Sequence, residues 1–190
     1  MSTILIVYGT AHGQTERVSR RIGRALTESG HAVTIQKGDR LPPDLTLGAY
    51  DGFVVAGSVR VGRYQPYLTA FVRDHLTRLN AAPSAFVSVC GAAGGGPDGL
   101  KAAQGYIDKF LYQTGWSPWL VRSFAGELAY TRYDPVTRWI MKTISRRNGG
   151  PTDTSRDYDF TDWAAVDCLG QELASMFART APRATEAVGS

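Results

Sequence analysis

Residues 10–15 carry the first side chains that could do chemistry, and they lie between an apolar run and an amphipathic stretch. Hydroxyls, an amide and a glycine are typical of a loop that opens a helix and holds an anion on unpaired N–H groups. The loop lacks the lysine of a GxxxxGK(S/T) triphosphate loop and the glycine spacing of a GxGxxG dinucleotide loop. It therefore predicts a monophosphate site, such as one for the tail of FMN, with an ordinary capped turn as the alternative. The predicted contacts are Thr10, Ala11, His12, Gly13, Gln14 and Thr15.

A second loop, residues 58–64, combines small residues with two arginines and an aromatic ring. This composition suits a segment that flanks a planar ring and places positive charge beside it. Arg60 is the candidate for tuning a flavin, because a cation near the pyrimidine end favours the reduced, anionic ring. A solvated surface arginine is the alternative. The predicted cofactor contacts here are Ser58, Val59, Arg60, Gly62 and Tyr64.

The third loop, residues 90–97, is dense in glycine, which allows the backbone to approach a flat ligand closely. Simple flexibility is the alternative. Cys90 and Cys168 show no CxxC or His/Cys spacing, so we expect neither a metal site nor a disulfide and interpret both as buried thiols. The predicted cofactor contacts are Cys90, Gly91, Ala92, Gly94, Gly95 and Gly96.

Five short apolar runs, separated mostly by helical patterns, must position these loops. Parallel strands need crossover connections, which place helices on both faces of a doubly wound sheet. We predict a three-layer α/β sandwich with a five-stranded parallel sheet in the order 2-1-3-4-5, whose ligand site lies outside the carboxyl ends of strands one and three. The predicted strands are 4–8, 32–36, 53–56, 85–89 and 119–125, and the predicted helices are 14–29, 66–79, 100–112 and one that begins at 161 or 162.

Residues 126–159 form an insertion after the fifth strand that is too long for a simple connection. Asp134-Pro135 predicts a helix start, after which an apolar face with Trp139 opposes a basic face. Such a helix suits a membrane surface or a lid over an apolar anionic substrate, and a helix packed on the sheet is the alternative. The predicted substrate or membrane contacts are Tyr130, Arg132, Arg138, Trp139, Lys142 and Arg146.

Length and composition indicate one soluble domain over residues 1–178, followed by a flexible tail over residues 179–190. No apolar run is long enough to span a membrane, and the first strand begins too close to Met1 for a signal peptide, so we expect a cytoplasmic protein. The net charge of +4 favours a phosphate, a carboxylated substrate or an anionic membrane, and we do not expect nucleic-acid binding. His31 and His75 belong to no recognisable catalytic constellation.

The motifs together resemble the flavodoxin-like, quinone-linked (menaquinone-dependent) protoporphyrinogen IX dehydrogenases of bacterial haem synthesis. The resemblance implies a flavodoxin-like fold, an FMN cofactor, oxidation of protoporphyrinogen IX to protoporphyrin IX and a quinone acceptor. Because a quinone resides in lipid, the apolar and basic helix of the insertion then favours peripheral contact at the inner face of the cell membrane. Two features differ from the family pattern, since His12 replaces an acidic residue and the third loop is richer in glycine. The resemblance spans about residues 3–175 and rests on Gly13-Gln14-Thr15, residues 57–64, 78–80 and 83–86, the GGPTDT stretch at 149–154 and Thr161-Asp162-Trp163.

Three other functions fit the same loops. A diffusible flavodoxin-type electron carrier would share the fold, although such carriers are typically acidic and this chain is basic. Another FMN-binding quinone reductase, or a module that binds a phosphate ligand without catalysis, is also compatible with the sequence. In every redox case the flavin would supply the chemistry and the protein would position it.

Overall fold

The computed structural model describes residues 1–147 and 149–180. Its main sheet has five parallel strands in the order β2-β1-β3-β4-β5, which confirms the predicted topology. The central strands are buried on both faces, and this accounts for their nearly continuous apolar sequence. The strands are β1 (Thr3–Gly9), β2 (Ala32–Lys37), β3 (Gly52–Ser58), β4 (Ser84–Cys90) and β5 (Leu120–Ala125).

Helices cover both faces of the sheet. Two corrections concern their limits: the predicted helix 66–79 is broken at His75, and the predicted helix 100–112 begins earlier, at Gly96. The predicted tail at 179–190 falls largely on residues 181–190, which lie outside the described residues. The helices are α1 (Gln14–Glu28), α2 (Pro66–Asp74), α3 (Leu76–Ala81), α4 (Gly96–Thr114), α5 (Pro135–Arg147) and α6 (Trp163–Thr180).

Each face of the sheet has its own hydrophobic core. On one face Ile6 and Val54 meet α1 and α6, and on the other Val55 and Phe86 meet α2, α3 and α4. The predicted inward stripe of α6 is confirmed, but Cys168 is exposed because it lies off that stripe, so its interpretation as a buried thiol is wrong. Cys90, at the end of β4, is buried as expected.

The insertion forms a small unit beside the carboxyl edge of the sheet. Two short strands, β6 (Glu127–Leu128) and β7 (Tyr158–Asp159), pair antiparallel. Along the chain, α5 lies between these two strands. The pair of strands was not predicted from the sequence. A separate core forms around Tyr130 and Tyr133, against which Met141 of α5 packs.

None of the helices in residues 1–147 and 149–180 is both long enough and apolar enough to cross a membrane.

Candidate functional site

The loop after β1 presents an open helix terminus. Gly13 adopts a left-handed backbone conformation, with φ of 97°, and its N–H donates to Thr10 Oγ1 at 2.9 Å. No side chain of the described residues caps α1, so the first N–H groups of the helix lack a capping partner. The Thr15 hydroxyl lies fully buried beneath this turn and has no hydrogen-bond partner among the described residues. An uncapped helix start with an unsatisfied hydroxyl fits an anion such as a phosphate.

Gln14 does not present its side chain to this site. Its Nε2 donates to Asp159 Oδ1 at 2.8 Å and to Thr161 Oγ1 at 2.6 Å, while its Oε1 accepts from Arg17. Every polar atom of the buried amide is therefore engaged by the insertion end and by α1. The prediction of a cofactor contact at Gln14 can hold only for its backbone N–H.

The loop after β3 forms a tight and strained turn. Arg60 and Arg63 exchange two backbone hydrogen bonds, and both central residues have positive φ, 49° at Val61 and 73° at Gly62. This is the pattern of a type I′ turn, which favours Asn-Gly at its centre. Val61 is β-branched, disfavoured at positive φ, and 94% exposed. Backbone strain of this kind persists mostly at ligand sites.

Tyr64 lies mostly in the core, but it also lines the cleft between the first two loops, so its predicted cofactor contact stays a prediction. The side chain is only 7% exposed, its ring packs edge-on against Phe86 and Phe110, and its hydroxyl pairs with Ser88 at 2.8 Å. Burial raises the pKa of Tyr64 well above its ordinary value. Its role is to support the turn from below, where it also touches Gly57 closely enough to exclude a Cβ there.

A cleft of about 410 Å³ separates the first two loops at the carboxyl ends of β1 and β3. Thr10 and Ala11 line one side, and Arg60 and Val61 line the other. Gln65, which the sequence did not single out, also lines it and donates to Ser58 Oγ at 2.7 Å. The only sequence feature near Gln65 is the helix start at Pro66, which carries no chemical signal.

The third loop leaves its glycines accessible. Residues Gly91–Gly94 form one 3₁₀ turn, and Gly91, Gly94, Gly95 and Gly96 are exposed. Cys90 lies beneath this turn, and burial raises the pKa of its thiol. The loop follows β4, the neighbour of β3, so it faces the same edge of the sheet as the strained turn. The structure thus gathers all three predicted loops, while the individual contacts stay predictions.

His12 lies where the phosphate loop meets the insertion. Its ring packs edge-on against Tyr133 at 5.0 Å between centroids. Burial lowers the pKa of His12, and the positive charges of Arg60 and Arg132 lower it further. Arg60 and the phosphate loop line the same cleft.

Two of the predicted insertion contacts are structural. Tyr130 is fully buried and its hydroxyl donates to the Pro151 carbonyl, so it cannot touch a membrane or substrate. Arg138 donates to the carbonyls of Tyr130 and Tyr133, and is thus not a free cation on a basic face. The contact predicted at Tyr130 is therefore wrong, because this side chain belongs to the insertion core. The contact predicted at Arg138 stays a prediction, because its side chain is only partly buried.

The apolar face of α5 points outward. Trp139 is 69% exposed, and Val136, Ile140 and Ile144 are also exposed beside Lys142 and Arg146. The alternative of an apolar stripe packed on the sheet is therefore wrong. Ser145 instead faces inward and donates to the Pro151 carbonyl, where Gly150 leaves no room for a Cβ.

Known proteins resemble this chain in both sequence and fold. Residues 5–155 match the model of the flavodoxin domain. The chain is 33% identical over 172 residues to "Protoporphyrinogen IX dehydrogenase (quinone)" of Escherichia coli (strain K12), covering 90% of this chain and 94% of that protein. The protein of the same name from Leishmania major is 32% identical over 183 residues, covering 94% of this chain and 78% of that one.

Among solved structures, flavodoxins share the fold. A flavodoxin from the domain Archaea has a TM-score of 0.53 at 16% identity, covering 93% of this chain and 99% of that one. The Streptococcus pneumonia TIGR4 flavodoxin has a TM-score of 0.55 at 15% identity, covering 93% and 98%. At these identities the likeness concerns the fold alone.

The turn at Val61 yields a stability prediction. Val61→Asn should raise the free energy of unfolding by about 1 kcal/mol, because asparagine tolerates positive φ and creates the Asn-Gly pair preferred in type I′ turns. Urea denaturation measures the change. Val136→Asn, at an exposed valine inside α5, is the matched control and should not stabilise the protein. An equal or lower stability of the Val61 variant would show that the turn is not strained.

His12 yields a pH prediction. Its pKa is lower in the folded protein than in the unfolded chain, so the unfolded chain binds the proton more readily. The resulting contribution to stability is present above the ordinary histidine pKa of about 6.5 and is lost as the pH falls toward the folded value. His12→Gln should therefore flatten the decline in apoprotein stability over that window. Identical pH profiles for the variant and the wild type would refute this assignment.

Proposed function

The chain belongs to the flavodoxin domain family and to the protoporphyrinogen IX dehydrogenase (quinone) family within it, and on this basis we propose its reaction. It is a flavin-binding oxidoreductase. In our proposal it holds FMN, oxidises protoporphyrinogen IX to protoporphyrin IX and passes the electrons to a quinone, as a step of haem biosynthesis.

The observation that carries the proposal is the uncapped start of α1 above the buried Thr15 hydroxyl. A site of this kind binds a phosphate without lysine, and FMN ends in a phosphate. The backbone N–H groups at residues 14–16 and the Thr15 hydroxyl would hold that phosphate. The glycine loop at 91–96 has no large side chains to obstruct a flat ring.

When bound, FMN would supply the redox chemistry, which protein side chains lack. The protein's own residues orient the cofactor and set the local charge. Arg60 lies on the cleft and is positively charged near the phosphate loop, which supports its proposed role in favouring the reduced ring.

We further propose that α5 rests on the inner face of the cell membrane, the rest of the protein being cytoplasmic. A quinone resides in lipid, and the exposed apolar side chains of α5 could enter the interface while Lys142, Arg146 and Arg147 meet anionic headgroups. This basic, apolar surface also distinguishes the chain from a diffusible acidic electron carrier.

Thr15→Val tests the phosphate site. Loss of a hydrogen bond to a charged group costs about 1.5–3 kcal/mol, so the FMN dissociation constant should rise roughly 10- to 100-fold. The apoprotein should not lose stability, because the variant removes an unsatisfied buried hydroxyl. Fluorescence titration of FMN and urea denaturation give the two values. Thr15→Ser, which keeps the hydroxyl, should bind FMN nearly as well as the wild type, and equal affinity for the valine variant would remove Thr15 from the site.

The reaction itself is tested with the FMN-loaded protein, protoporphyrinogen IX and either a water-soluble quinone or a quinone embedded in anionic vesicles. The wild type should form porphyrin with both. Trp139→Gln should slow the reaction severalfold with the embedded quinone alone, because it weakens attachment to the vesicle. Trp119→Gln is the matched control, since Trp119 is also exposed, at 55%, but directly precedes β5 at the opposite edge of the sheet.

Absence of porphyrin with either acceptor would refute the proposed reaction. Equal losses with both acceptors would assign Trp139 to substrate binding and not to the membrane.

A further inference from the structure

Arg132 joins the insertion to the phosphate loop. Its Nη1 donates to the His12 carbonyl and its Nη2 to Glu127 Oε1, while Asp157 Oδ2 lies 3.3 Å away. Burial lowers the pKa of Arg132, but the two carboxylates more than offset this and raise it above its ordinary value. The guanidinium is therefore occupied by the protein's own groups and is not a free cation for a substrate or membrane.

The carboxyl-terminal end of the insertion contacts the start of α1. Asp159 accepts from Gln14 and pairs with Arg17 at 3.2 Å, and Thr161 accepts from Gln14 as well. Trp163 stacks against Arg17 at 4.9 Å. Both ends of the insertion thus contact the first turn of α1 or the loop before it.

These contacts fix one peptide group of the phosphate loop from two sides. The peptide between His12 and Gly13 is planar, its carbonyl accepts from Arg132, and its N–H donates to Thr10 Oγ1 at 2.9 Å. Gly13, which follows, adopts a left-handed conformation that glycine enters and leaves easily. The orientation of this peptide therefore depends on Arg132 and Thr10. The orientation of the peptide in turn sets the direction of the N–H groups that follow it.

We infer that Arg132 is a positioning residue for the cofactor phosphate: from the insertion it holds the His12–Gly13 peptide, so that the start of α1 is preorganised before the ligand arrives. Preorganisation raises affinity by reducing the ordering cost of binding. The insertion is then part of the cofactor site as well as the carrier of α5. The inference rests on the proposed binding of FMN.

Removal of Arg132 alone would confound the test. Glu127 is buried, one of its oxygens has no partner among the described residues, and Arg132 supplies its salt bridge. An uncompensated buried carboxylate could unfold the insertion. The double variant Arg132→Gln with Glu127→Gln avoids this problem and also preserves the net charge, so long-range attraction for a phosphate is unchanged.

The matched control is Arg122→Gln with Glu172→Gln. This pair forms a salt bridge of 2.8 Å between β5 and α6, away from the loop, and its removal is equally neutral in charge. Both double variants and the wild type are titrated with FMN and with riboflavin, which has the same ring but no phosphate.

The Arg132/Glu127 variant should bind FMN roughly tenfold more weakly, the size expected for one lost charge-assisted contact, while its riboflavin affinity stays unchanged. In the apoprotein, amide hydrogen exchange at Gly13 and Gln14 should be faster, with exchange in β1 and β3 unaltered. The control variant should match the wild type in all three measurements.

Unchanged FMN affinity, or equal losses for FMN and riboflavin, would overturn the positioning role, the second outcome indicating general damage. Failure of the wild type to bind FMN would instead refute the proposed cofactor. The exchange rates would still report whether Arg132 orders the loop, so the two failures are distinguishable.

Discussion

Parallel pairing of β1 with both β2 and β3 is the constraint on which the rest of the structure depends. It requires helical crossovers, and these bury both faces of the sheet under α1 and α6 on one side and α2, α3 and α4 on the other. It also pairs Gly9 with Gly57, so the loops that leave β1 and β3 begin side by side. The candidate cofactor site is a consequence of that register.

Several unfavourable local features lie at this edge of the sheet. Thr15 and Gln65 each carry a buried polar atom without a partner among the described residues, and Val61 holds a positive φ. Ser19 in α1, His31 before β2 and Glu127 in the insertion carry further buried polar atoms of this kind, so they are not confined to this edge. Natural proteins break local preferences mainly where a ligand compensates, so the strained Val61 and the unsatisfied Gln65, which both line the cleft, support a cofactor site there.

The insertion reverses the usual arrangement of a surface helix. Arg138 and Ser145 of α5 face inward and donate to backbone carbonyls, whereas Trp139 and its apolar neighbours face outward. Polar contacts suffice on the inward side of this helix because the insertion has its own core around Tyr130 and Tyr133 and a tight turn at Gly150 that lies against Ser145. The family motif at 161–163 has an evident structural role here, since Thr161 and Trp163 hold the end of the insertion on α1.

Local sequence determined the strands, the three loops and the start of α5, because apolar periodicity and helix-start signals act over a few neighbouring residues. The strand order was predicted from the doubly wound fold class, since pairing between distant strands leaves no local signal. It did not determine which side chains reach the site. Gln14 is engaged by Asp159, 145 positions away, and Tyr64 and Tyr130 are buried under segments that only the tertiary structure brings over them. The outward direction of the α5 apolar face was likewise decided by the tertiary structure. An amphipathic pattern specifies two unlike faces, whereas the groups packed against a helix select which face is buried.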